Sequence, residues 1–196
     1  MLNIQSLINH IEEIGDIRML SIREHRFPFL IKVNDWNRFS KNTGGTLVEK
    51  CCHFFDLMRL VTNSEAVSVY ASGAQDVNHL NEQYNGRKPD IIDNAFVIVN
   101  FENGIRSVLD LCMFSENSRL QEELCAVGNI GKIETGVPSF LSGKSSSELS
   151  IGLRKSKNIR IENIEVDETI LKAGHHHGST FYEHLELQKA IKENLR

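Results

Sequence analysis

Nowhere in the chain does a strand-like run lead into a Gly-x-Gly-x-x-Gly turn. That turn lets backbone close on a pyrophosphate at a helix N-terminus, so these residues are expected to lack a dinucleotide-binding domain of their own. No apolar run approaches the roughly 20 residues of a membrane span, and Met1-Leu2-Asn3-Ile4-Gln5 lacks the charged-then-apolar pattern of a secretion leader. A cytoplasmic protein with no membrane contact is expected. Basic charge is short as well. The 22 Lys and Arg stand against 26 Asp and Glu, a formal charge of -4, which offers no field for a phosphate backbone and argues against nucleic acid as a partner. The basic cluster Arg154, Lys155, Lys157 and Arg160 reads as a solvated hairpin tip. A disulfide framework is also excluded. Cys51 and Cys52 are neighbours on a presumed helix, pointing about 100° apart, and Cys112 and Cys125 fall in apolar strand contexts that suit free thiols.

What is present, 40% hydrophobic and 24% charged in 196 residues, suffices for one globular domain spanning residues 1–196. Leu2, Leu7, Ile8, Ile11 and Ile14 recur at helical spacing and Gly15 stops the run, predicting an opening helix over 2–14. Residues 17–27 predict a long strand ended by Pro28, and a loop holds Asp35-Trp36-Asn37-Arg38. A helix is expected from about Thr43 to Val61, then a strand at 66–72 and a polar loop through Pro89. Two strand-like runs, 94–101 and 105–113, flank Glu102-Asn103-Gly104 and predict an antiparallel hairpin. Further strands are expected at 120–127, 132–135, 148–153 and 159–166, with a flexible loop at 139–147. Ser179 is placed to cap a final helix over 180–195. The pattern predicts an α+β fold: a mainly antiparallel, open-faced sheet with helices packed on one face.

The chemistry concentrates in the 43–61 segment. At about 100° per residue, Leu47, Cys51, Phe54, Met58 and Val61 share one arc and face the core, while Thr46, Glu49, His53 and Asp56 fall on the opposite side. Glu49 and His53 stand at i and i+4, a spacing at which a carboxylate can hydrogen-bond one imidazole nitrogen and aim the other outward as a general base. Gly44 and Gly45 would let backbone approach a ligand, with Thr43 or Asn42 as the helix cap. Spacing leaves a second reading open, an exposed Glu–His pair on a solvated helix face. Trp36 and Arg38 supply an aromatic wall and a cation for a cleft. The run His175-His176-His177 leaves open a metal site, a turn with one imidazole reaching the cleft, or plain loop histidines. Consecutive residues rarely converge on one ion, so no metal is expected.

These same residues resemble the second domain of the glucose-fructose oxidoreductase and inositol dehydrogenase family, the Gfo/Idh/MocA group, whose motif reads Gly-Gly-x-x-x-Asp-x-x-x-His-x-x-Asp. Gly44, Gly45, Glu49, His53 and Asp56 fill those positions, with glutamate in place of the aspartate. Gly15-Asp16-Ile17 is similar to the turn entering the family's first sheet strand, Trp36-x-Arg38 to its substrate loop, and the 174–179 turn to the one before its last helix. The resemblance implies a domain that ordinarily follows a dinucleotide-binding domain, here absent together with its Glu-Lys-Pro lysine. It implies oxidation of a CH–OH group of a polyol, inositol or sugar. His53 would take the proton, Glu49 would orient it, and Arg38, Trp36, Gly44, Gly45 and His176 would bind substrate. NAD or NADP would serve a complete protein, with no specific cofactor binding expected of this chain alone. A homo-oligomer through the sheet face is implied too. The alternative is a non-catalytic binding or oligomerisation module that has lost its cofactor domain.

Overall fold

The computed structural model describes residues 1–139, 146–172 and 178–194. Helix α1 spans Leu2–Asn9, and a separate 3-10 turn covers Ile11–Ile14. The opening helix is therefore shorter than its periodicity implied. It frays at His10, whose ring bonds back to the Ser6 carbonyl at 2.8 Å. Gly15 ends the turn as expected, at φ 75, where a Cβ would collide with the Asn129 side chain. Strand β1 (Ile17–His25) follows, then a 3-10 turn at Val33–Arg38 and three short helices, α2 (Ser40–Thr43), α3 (Thr46–Glu49) and α4 (Cys52–Thr62). Strands β2 (Ala66–Ala74), β3 (Asn94–Phe101), β4 (Arg106–Cys112), β5 (Leu120–Gly128), β6 (Gly131–Pro138), β7 (Ser146–Leu153) and β8 (Ile159–Glu165) complete the sheet, and α5 (Glu168–Lys172) and α6 (Ser179–Glu193) close the chain.

The eight strands form one sheet in the order β2-β3-β4-β1-β5-β6-β7-β8. Every neighbouring pair is antiparallel except β1 and β4, which run parallel from Met19↔Arg106 to His25↔Cys112. The parallel step exists because β1 leaves the sheet through α2–α4 and the β2–β3 hairpin enters from the far edge. The expected 94–113 hairpin is present, turned at Gly104 with φ 84.

Alternation does the sorting. Leu20 and Ile22 of β1, Val97 and Val99 of β3, Leu109 and Leu111 of β4 and Leu124 and Ala126 of β5 point to one face, where Leu7, Ile14, Phe54, Met58 and Val61 cover them. The opposite face carries Met19, Phe96, Ile98 and Tyr70, all exposed. The architecture is thus the α+β, open-faced, mostly antiparallel sheet that the residue pattern predicts.

Three local expectations are corrected. The 43–61 helix is broken twice, as described below. Ser179 is not a cap: Gly178, left-handed at φ 77, precedes α6, and Ser179 is its first helical residue. Thr43 and Asn42 do not cap the helix that carries Glu49 either. Gly45 occupies that position, and the Thr43 hydroxyl instead accepts the Gly45 N–H at 3.0 Å. The 139–147 loop lies largely outside the described residues.

Candidate functional site

The glycine pair is a hinge between helices. Gly44, at φ 78, ends α2 by donating its N–H to the Ser40 carbonyl at 2.7 Å, and a Cβ on it would press on Val48 at 3.0 Å. Gly45, at φ 88, turns the chain into α3. What the glycines supply here is backbone conformation that other residues adopt at a cost. A second break falls at Lys50 and Cys51. The N–H groups of Phe54 and Phe55 both return to the Cys51 carbonyl, so α4 starts afresh. The core arc survives the break, with Cys51, Phe54, Met58 and Val61 buried. Glu49 thus closes one helix while His53 lies in the first turn of the next.

Glu49 has a partner that spacing did not reveal. Its Oε1 accepts a hydrogen bond from Lys32 Nζ at 3.0 Å, while its Oε2 is buried without a hydrogen bond. The Glu49 side chain is 13% exposed and that of Lys32 47%. The same ammonium stands 5.1 Å from the centre of the Trp36 ring, itself exposed at its rim. Lys32 is held there by the loop that carries it, which closes through Asn37 Nδ2 to the Leu30 carbonyl at 3.0 Å and Asp35 N–H to the Lys32 carbonyl at 3.0 Å. Carboxylate, ammonium and indole therefore form one corner. His53 is exposed, its ring 4.0 Å from that of Phe54 at a tilt of 45°. Asp56 is solvent-exposed and lies 3.6 Å from Arg59.

Arg38 is not in that corner's opening. It is 2% exposed, and its Nε donates to Glu82 Oε2 at 2.9 Å. Glu82 also accepts from Tyr84 Oη at 2.6 Å and meets His79 Nδ1 at 2.7 Å. Burial alone would raise the Glu82 carboxyl. The hydrogen bonds from His79, Tyr84 and Arg38 outweigh it and bring it down to about 2. Direct substrate contact by Arg38, expected from its position near Trp36, gives way to a bracing role. It ties the 33–38 turn to the long segment between β2 and β3.

That segment is pinned twice more. Asp93 accepts the N–H groups of Asp76, Val77 and Asn78, and Asp90 accepts the Ser40 N–H at 2.6 Å and its hydroxyl at 3.0 Å. Burial works against ionisation of Asp93, yet the three backbone donors hold its carboxyl below the ordinary value. Thr46 is anchored to the Ile92 carbonyl.

Below α4, burial and the neighbouring Glu24 carboxylate push the Cys51 thiol up to about 12, which makes it an inert core group rather than a nucleophile or ligand. All four cysteines are free thiols. Among the described residues, no three His, Cys, Asp or Glu side chains gather to hold a metal ion. His176 lies outside the described residues, as do His175 and His177.

Comparison with known proteins identifies the family and the fold. The profile of the Gfo/Idh/MocA group, described as "Oxidoreductase family, C-terminal alpha/beta domain", matches residues 8–194. A stretch of 72 residues is 33% identical to the uncharacterized oxidoreductase YrbE of Bacillus subtilis (strain 168), covering 37% of this chain and 20% of that protein. Among solved structures, the aldose-aldose oxidoreductase from Caulobacter crescentus, complexed with glycerol, superposes with a TM-score of 0.65 at 15% identity, over 98% of this chain and 50% of that one. The WlbA dehydrogenase from Bordetella pertussis, complexed with NADH and UDP-GlcNAcA, does so with a TM-score of 0.53 at 17% identity, over 68% of this chain and 40% of that one. At such identities the solved structures establish a shared fold, and this chain spans half or less of their length. Sheet order, the Gly44–Asp56 segment and the profile match lead to one conclusion: the chain belongs to the Gfo/Idh/MocA oxidoreductase family, as its C-terminal α/β domain.

Proposed function

We propose that this chain is the substrate-binding and proton-accepting part of an NAD(P)-dependent oxidoreductase that acts on a CH–OH group of a polyol, inositol or sugar. The observation that carries the reading is the corner in which Lys32 joins the Glu49 carboxylate to the Trp36 ring, immediately before the helix turn that exposes His53. An indole with an ammonium over one face and a carboxylate beside it suits a ring that is apolar on its CH face and hydroxylated at its rim.

The described residues contain no turn that fits a dinucleotide, so NAD or NADP is assigned to a separate dinucleotide-binding domain, where it supplies the hydride acceptor. The work of this chain is confined to substrate and proton. Lys32 and Glu49 take vicinal hydroxyls, and Trp36 bounds the ring. The imidazole of His53 accepts the hydroxyl proton as the carbon becomes a carbonyl. Arg38, Gly44 and Gly45 act through the loop and hinge they shape. The open face of the sheet, with Phe96, Ile98 and Tyr70 exposed, supports self-association of copies in the cytoplasm.

The test joins the chain behind a dinucleotide-binding domain and follows NAD(P)-dependent oxidation of myo-inositol and aldoses. His53→Ala is expected to lower kcat by about 10²- to 10⁴-fold, the range of a positioned acid–base group, with a far smaller change in KM. Unaltered kcat overturns the role of His53. The chain by itself is expected to bind neither NAD(H) nor NADP(H), and micromolar affinity would contradict the assignment of the cofactor to another domain.

A further inference from the structure

The segment that carries Trp36 also forms one wall of a solvent-open hollow of about 550 Å³, whose other wall is residues 83–87. Its walls are cross-braced. Arg38 reaches across to Glu82, the Phe39 and Tyr84 rings meet edge to face at 6.1 Å, and the Arg87 guanidinium lies 4.2 Å over the Phe39 ring. Tyr84 and Arg87 exchange backbone hydrogen bonds at 2.8 and 2.9 Å, and the Tyr84 hydroxyl is fixed on Glu82. The concavity is therefore built before any ligand arrives.

Part of its polar lining is unpaired. The side-chain amides of Asn34, Gln83 and Asn85, the Asp35 carboxylate and the Lys41 ammonium make no hydrogen bond or ion pair with any described residue. Asn42 spends one N–H on the Trp36 carbonyl, at 2.9 Å, and keeps its own carbonyl oxygen. Asn34 and Asp35 are consecutive left-handed residues, at φ 55 and 51, and Asn85 is another at φ 50. Asn and Asp are the non-glycine residues that adopt this backbone most readily, and Asn85 with Gly86 (φ 79) forms the tight turn that the Tyr84 and Arg87 backbones close.

Each amide offers donors and an acceptor, which matches a hydroxyl that is itself both. An apolar ligand finds little surface here. A compact anion would meet the Asp35 carboxylate along with the Lys41 ammonium. We propose that the hollow is a second saccharide subsite, adjoining the Lys32–Glu49–Trp36 corner through the shared 33–42 segment, and that the chain takes a glycoside of at least two rings. This rests on the reading of the corner as a polyol site.

The test uses the chain itself, titrated with glucose, maltose, cellobiose and isomaltose. Fluorescence of Trp36, the single tryptophan, reports the corner, and amide chemical shifts of Gln83 and Asn85 report the hollow. At least one disaccharide is expected to bind tenfold or more tightly than glucose and to shift both reporters. The double variant Gln83→Ala/Asn85→Ala, both sites exposed, is expected to abolish that advantage while leaving glucose binding unchanged. Disaccharide affinity equal to that of glucose, or an advantage that survives the double variant, overturns the subsite and leaves the corner's function standing. Shifts in the hollow with an unresponsive Trp36 keep a saccharide site and refute the corner. Inorganic phosphate that moves the hollow resonances at low millimolar concentration while no sugar does makes it an anion site and overturns the proposal, as does silence from every probe.

Discussion

Glu82 and Glu122 are both carboxylates drawn in among cations, and the fold drives their acidities in opposite directions. Glu82 bonds to Arg38, Tyr84 and His79 and falls to about 2 although burial opposes this. Glu122 lies on the core face of β5, directly across from Glu24 of β1. Burial first, and the Glu24 charge second, push it up to about 7 despite Lys50 and Arg26 nearby. Those two cations are taken by Glu24, whose Oε1 accepts a hydrogen bond from Arg26 Nη1 and pairs with Lys50 Nζ, each at 3.1 Å. Glu24 Oε2, Glu122 Oε2 and Arg26 Nε remain buried without hydrogen bonds. Two things separate the clusters: Glu122 is 5% exposed and the Glu82 side chain 36%, and Glu82 has three side-chain donors to replace the water that it loses. The satisfied cluster braces the loops beside the site. The unsatisfied one lies under the break in the site helix, where Lys50, next to Glu49, reaches inward to Glu24.

The most damaging way to break this contrast is to take away the cation of the satisfied cluster. Arg38→Met leaves Glu82 with two donors and removes the link between the 33–38 turn and the β2–β3 segment. Losing a hydrogen bond to a charged group costs about 2 kcal/mol, the partner left behind being 36% exposed, and is read as a lower urea midpoint at constant slope. A midpoint within error of the parent would mean that the brace is ornamental.

The two carboxylates also predict opposite pH slopes. Glu122, near 7 folded and near 4.5 unfolded, holds its proton more tightly in the native state. Stability linked to it is full below pH 4.5 and is lost as pH rises through about 7, a change of about 3 kcal/mol. Glu122→Gln should flatten that alkaline decline. Glu82, depressed to about 2, contributes above pH 4.5 and loses its contribution as pH falls toward 2, so Glu82→Gln should flatten the acid limb instead. Its side chain is 36% exposed and solvent screens it, so the acid effect is the smaller. Chemical denaturation from pH 3 to 9 checks both, and a shared slope would erase the contrast.

How much of this was legible in the sequence depends on how far apart the partners lie. The 94–113 hairpin and the arc of Cys51, Phe54, Met58 and Val61 follow from local periodicity, and the arc held even though the helix under it broke. The break itself was not legible. Its first point is the turn at Gly44 and Gly45, and at its second Lys50 pairs with Glu24, a residue on another element. Arg38 finds Glu82 at a separation of 44 residues, and Glu49 finds Lys32 at 17. Spacing rules see the next helical turn and are blind to such pairs. A signal for Lys32 did exist, a cation four residues before Trp36 in an otherwise apolar, exposed Leu30-Ile31-Lys32-Val33 run.

The smallest expected effect on stability sharpens the comparison from the side of the site. The Lys32–Glu49 pair is half open to solvent, and pairs of that kind contribute about 1 kcal/mol or less. Lys32→Met should therefore unfold almost where the parent does. It also strips the cation from the face of Trp36, a change that the emission spectrum of the single tryptophan reports directly. Glu49 then loses the hydrogen bond that its Oε1 accepts from Lys32. If the corner binds polyols, glucose or myo-inositol should no longer perturb Trp36 in this variant while the fold stays intact. If ligand response persists unchanged, Lys32 is a surface lysine that happens to lie beside an indole, and recognition rests on Glu49 and His53 without it.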